Sequence, residues 1–114
     1  MAESGASSDQ GMAAVDSASV NEDELQQLDA RAQLTGPVAY RHYWGAKNGQ
    51  WRLHLSWGGM SRYNQVYVAI HEGNFIGAAR YTLHNVAPYD GGVSIWVNIE
   101  WGSPINLYAD YYVV

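Results

Sequence analysis

From Val38 to Val113 apolar and polar side chains alternate with a period of two, and the alternation breaks at short clusters of Gly, Asn and Pro. That rhythm marks half-buried β-strands rather than helices. It predicts six strands in three hairpins. The first joins Val38–Trp44 to Gln50–Trp57 across Asn48-Gly49, a dipeptide that tolerates the positive φ of a tight turn. Counting outward from that turn sets Trp44 opposite Leu53, His42 opposite Leu55 and Tyr40 opposite Trp57, so apolar meets apolar. The second joins Gln65–His71 to Phe75–His84 across Glu72-Gly73-Asn74. It turns Val66, Val68, Ile70, Phe75, Ala79, Tyr81 and Leu83 to one face. The third joins Val93–Trp101 to Ile105–Val113 across Gly102-Ser103-Pro104, with Ile99 facing Leu107, Val97 facing Ala109 and Ile95 facing Tyr111. Longer links, Gly58–Asn64 and Asn85–Gly92, separate the hairpins.

A single flat sheet of six such strands would expose a complete apolar face to water. The expected fold is therefore all-β: a six-stranded antiparallel sandwich or small barrel built of three hairpins.

Before Pro37 the pattern changes. The five tryptophans, nine tyrosines and the single phenylalanine all lie between Tyr40 and Tyr112. Residues 1–36 carry Glu3, Asp9, Asp16, Glu22, Asp23, Glu24 and Asp29 against Arg31, so this segment holds −6 and the remainder +1 of a net charge of −5. This divides the chain into an acidic arm, 1–36, and an aromatic-rich β-domain, 37–114. Residues 1–18 hold too few bulky groups to offset ordering entropy and are expected to be flexible. Ser19-Val20-Asn21-Glu22 has capping-box spacing, and Leu25, Leu28 and Ala32 form a narrow stripe. Together they predict a short helix over about 22–33, ended by Gly36-Pro37 and too short to stand alone.

Charge and composition exclude several functions. An acidic arm and a domain without a basic stripe argue against nucleic acid. The N-terminus shows no secretory signal and there is no transmembrane segment, so synthesis in the cytoplasm without such a signal is expected and the final location is left open. With no cysteine there is no disulfide and no thiolate metal site. His42, His54, His71 and His84 show no ligand spacing, so neither metal nor cofactor is expected. Glu100 and Asp110, read on one face, stand about 13 Å apart, too far for a glycosidase pair. Ser56, Ser61, Ser94 and Ser103 lack a nucleophile motif. The chain is not expected to be an enzyme.

One surface carries more chemistry. On the expected third hairpin Trp96, Asn98, Tyr108, Asp110 and Tyr112 stand side by side, with Tyr89 and Asp90 in the adjacent loop. Flat rings beside an amide and a carboxylate suit a sugar, and they equally suit a subunit interface. Two readings follow. The first is a non-catalytic β-domain acting as a self-assembling structural or interaction subunit, a homo-oligomer whose small core gains from association. The second is a carbohydrate-binding module or small lectin with a glycan partner on that face. A membrane-active protein is a lesser third, because no strand pair reads as a lipid-facing ribbon.

Overall fold

The computed structural model describes residues 14–20, 26–27 and 37–114. The strands are β1 (Ala14–Ser19), β2 (Gln26–Gln27), β3 (Val38–Lys47), β4 (Gly49–Ser56), β5 (Val66–Glu72), β6 (Arg80–Tyr89), β7 (Gly92–Glu100) and β8 (Ile105–Val113). They form two four-stranded sheets: β1-β4-β7-β6, here sheet I, and β2-β3-β8-β5, sheet II. The inward residues of both sheets share one core, which includes Val38, Tyr40, Trp44, Leu53, Leu55, Trp57, Ile95, Val97, Ile99, Leu107, Ala109 and Tyr111. The architecture is an all-β sandwich.

The three expected hairpins are not formed. β3 leads through Asn48 into β4, β5 through residues 73–79 into β6, and β7 through residues 101–104 into β8, and each of these steps crosses from one sheet to the other. They are arches. β3 pairs instead with β8, β4 with β7, and β8 also with β5, all antiparallel. Trp44 does not pair with Leu53. It is the extra residue of a bulge between Tyr43 and Gly45, where Gly45 takes a φ of +87°. Leu53 lies opposite Ile95, and both are fully buried. The one tight hairpin between consecutive described strands is elsewhere. β6 turns into β7 at Asp90-Gly91, with Tyr89 opposite Gly92 and Gly91 at a φ of +102°. That turn lies inside what the pattern marked as a link. Phe75, expected to face the core, is wholly exposed in the β5–β6 arch.

The arm also departs from expectation. Ala14–Ser19 is not loose: it pairs in parallel with Trp51–Ser56 at the edge of sheet I. Gln26–Gln27, inside the span expected to be helical, forms instead a short strand against Val38–Ala39 at the edge of sheet II. The rest of the expected helix, and residues 1–13, lie outside the described residues.

A buried ammonium holds β1 to the sandwich. Lys47 points inward from β3, donates to the Trp44 carbonyl at 2.6 Å, lies 4.6 Å from the Trp51 ring centroid, and meets the Asp16 carboxylate at 3.0 Å. Burial would push the Asp16 carboxyl up. The hydrogen bonds from Lys47 and the Ser17 amide, with the Lys47 charge, outweigh it and hold the group below its ordinary 3.8. A carboxyl depressed in the folded state stabilises above its unfolded pKa and loses that contribution as pH falls through the folded one. β1 is therefore expected to loosen only below pH 3.8. Asp16→Asn should remove that acid sensitivity at a cost of about 1 kcal/mol or less, because the carboxylate is partly solvated. Amide exchange across residues 14–19 at two pH values checks both statements.

Candidate interaction face

The outer face of sheet II is set by three neighbouring strands. In register they form rows: Ala39, Tyr112 and Tyr67; Arg41, Asp110 and Ala69; Tyr43, Tyr108 and His71. Alternation turns these side chains outward while their chain neighbours Tyr40, Ala109 and Tyr111 turn in. The Tyr108 ring lies between Tyr43, at a centroid distance of 4.9 Å, and His71, stacked at 5.4 Å and 12°. The Tyr43 hydroxyl donates to Asn106 Oδ1 at 2.6 Å. Tyr67 and Tyr112 stand 6.2 Å apart at the other end. Between the two aromatic rows Arg41 grips Asp110 with Nε at 2.6 Å and Nη2 at 3.1 Å, and His71 Nε2 stands 3.4 Å from the same carboxylate. The Arg41 hydrogen bonds outweigh burial and hold the Asp110 carboxyl below its ordinary range, and the same pair raises the Arg41 guanidinium. A recess of about 310 Å³ opens beside the pair, bordered among the described residues by Ala39, Tyr40, Arg41 and Asp110.

The face expected from the sequence is divided by the sandwich. Tyr108, Asp110 and Tyr112 are on this surface. Trp96 and Asn98 are on the outer face of sheet I, where Trp96 lies between Arg52 and Asn85 and Asn98 donates to Glu100 at 3.0 Å. Tyr89 and Asp90 are at the β6–β7 turn, where Asp90 accepts from the Arg62 amide at 3.0 Å. Glu100 and Asp110, read as sharing a face, lie on different sheets.

Arg41, Tyr43, Tyr67 and His71 complete the surface and were assigned to other strand pairs. The legible signal was the outer side of β5, where Tyr67 and Ala69 are less polar than a solvated face requires.

The structure also joins two residues that the pattern kept apart. His54 Nδ1 contacts the Ser94 hydroxyl across β4 and β7. Ser94 is buried, and the contact reads as a cross-strand polar bond. Among the described residues no three of His, Asp and Glu gather as a metal site would require.

No family model matches this chain, and no curated protein matches it. Among solved structures it is similar to the P. aeruginosa R1 pyocin fiber, in a structure comprising C-terminal residues 323–701, at 15% identity and a TM-score of 0.48. The likeness covers 69% of this chain and 23% of that one, so this chain spans about a quarter of the fiber fragment's length.

Proposed function

We propose that this chain is a non-catalytic β-sandwich subunit that works by self-association, and that the outer face of sheet II is a surface it presents for contact. One observation carries the reading. Tyr43, Tyr67 and Tyr112 are 49%, 58% and 39% exposed, on a face whose remaining polar groups are already committed to one another. Tyrosine rings held in fixed positions supply large contact area at low entropy cost, which is why they concentrate at interfaces. The Arg41–Asp110 pair keeps the surface soluble when free and adds charge specificity when covered.

A sugar stacked on Tyr67 and Tyr112 is the second reading, favoured by their adjacency. It is weaker because Asp110, the natural hydroxyl acceptor, is taken by Arg41.

Sedimentation velocity across the micromolar range tests self-association. The wild-type chain should sediment as an oligomer, and the double variant Tyr67→Ser/Tyr112→Ser should dissociate at lower dilution while keeping its far-UV spectrum. A wild-type monomer at every concentration removes the reading, and glycan-array binding by that monomer would install the second one.

A further inference from the structure

The edges of the sandwich differ in how they are guarded. On one side β1 and β2 cap β4 and β3. On the other, β6 ends sheet I with a bulge between Leu83 and Asn85, with Pro88 and with Arg80, all features that blunt an edge. β5 ends sheet II with neither bulge nor proline, and its one charged residue is Glu72 at its end. Its seven residues, Val66-Tyr67-Val68-Ala69-Ile70-His71-Glu72, are regular, rich in β-branched side chains, and uncharged until Glu72. Among the described residues no strand lies beyond it.

The hydrogen-bond phase of β5 is fixed by its ends. Gln65 exchanges both backbone bonds with Val114, at 3.2 and 2.9 Å, and the Gly73 amide donates to Asn106 at 2.9 Å. Odd-numbered residues therefore turn their backbone groups toward β8. The N–H and C=O groups of Val66, Val68, Ile70 and Glu72 point outward from the sheet.

We infer that this edge takes a second copy of itself: β5 pairs antiparallel with β5 of another chain about a two-fold axis at Ala69, joining two sheets II into one of eight strands. The register follows from the phase. Centred on Ala69, the outward groups of Val68 meet those of Ile70 from the second copy, and those of Val66 meet Glu72. All four positions on each strand are used, which makes about eight backbone hydrogen bonds. Centring on Val68 or Ile70 wastes one position on each strand.

Side chains agree with this register. On the outer face Tyr67 comes opposite His71 of the second copy, in a non-hydrogen-bonded pair where side chains approach most closely. The aromatic face thereby becomes continuous across the axis. On the inner face half-buried Val68 and Ile70 meet each other. Tyr63 and Phe75, 83% and 99% exposed, lie equally far along the chain on either side of Ala69. The two-fold brings each toward the other's counterpart. Phe75 also holds a φ of +55°, a costly conformation for a bulky side chain.

This geometry rests on the self-association reading, and the experiment separates them. The chain has no cysteine, so single-cysteine variants are clean probes. Ala69→Cys places two thiols across the axis at a Cα separation of about 4.5 Å, inside the disulfide range. It should cross-link to a covalent dimer under mild oxidation, at least about tenfold faster than Ser17→Cys on β1 or His84→Cys on β6. Val68→Pro removes an outward N–H that sheet II does not use, so the fold should survive while dimer affinity falls roughly tenfold or more. An oligomer that persists in Val68→Pro, with Ala69→Cys no faster than the controls, overturns this pairing and leaves self-association standing. A wild-type monomer overturns both.

Discussion

Trp57→Ala is expected to destabilise the fold by about 3–5 kcal/mol, a large share of the 5–15 kcal/mol typical of a domain. Trp57 follows β4 where the chain leaves sheet I for β5, and its side chain is 1% exposed. The ring meets Tyr40 edge-on at 5.8 Å and 65°, and Tyr111 at 6.4 Å and 82°. All three rings come from different strands or their ends, so the indole joins both sheets. Its backbone is held as well: its amide donates to the Gly91 carbonyl at 2.8 Å, and its carbonyl accepts from Met60 at 3.1 Å. Those bonds stop the chain from collapsing into the space a methyl group would leave, so the cavity term is paid nearly in full. Nearby Tyr111 accepts from Trp44 Nε1 at 3.1 Å, and burial pushes its hydroxyl well above the ordinary tyrosine range. Among the described residues the indole Nε1 of Trp57 has no acceptor. Trp57→Phe should therefore cost less than half as much as Trp57→Ala, because it removes an unpaired donor along with apolar area. Urea titrations with an unchanged slope give both numbers. A loss below about 1 kcal/mol for Trp57→Ala would mean that this ring does not close the core.

Phe75 apart, the sequence pattern told which side chains face inward and did not tell which strands are neighbours. Leu53, Leu55, Trp57, Ile95, Val97, Ile99, Leu107, Ala109 and Tyr111 are all buried, as the alternation demands. The matching of Trp44 with Leu53 looked like a check on the hairpin, but an arch passes the same test. When a strand folds over rather than alongside its predecessor, the inward residues of both still face each other, across the core instead of across a ladder. The outer faces are what differ. A hairpin keeps them together, while an arch turns them to opposite sides of the molecule. That is why Trp96 and Asn98 parted from Tyr108 and Asp110, and why Tyr43 and Tyr67 joined them. β1 was illegible for another reason. Ala14–Ser19 has no local drive to extend, and its order comes from the exposed edge of β4 and from Lys47, both distant in sequence.

Gly92→Ala is the second large effect, and it probes the hairpin that the alternation did not reveal. Gly92 begins β7 opposite both Ser56 and Tyr89, in the middle of sheet I. A methyl group there would lie 2.5 Å from the Leu55 carbonyl oxygen and 2.6 Å from the Tyr89 hydroxyl oxygen. The tyrosine could swing away at small cost. The carbonyl could not, because Leu55 is part of the β4–β7 ladder and its side chain is fully buried. Relief requires opening the end of that ladder, so the substitution should cost about 2–3 kcal/mol. Gly91→Ala separates crowding from backbone strain. Among the described residues nothing beyond its chain neighbours lies within 4 Å of a methyl group at Gly91, yet its φ of +102° penalises any side chain, by about 1–2 kcal/mol. Gly102→Ala meets neither obstacle and should change stability by less than about 0.5 kcal/mol. The order Gly92, Gly91, Gly102 in denaturation midpoints is the expected result. If Gly92→Ala falls level with Gly102→Ala, the Leu55 carbonyl does not close over Gly92 and β4 does not pair with β7 in this register.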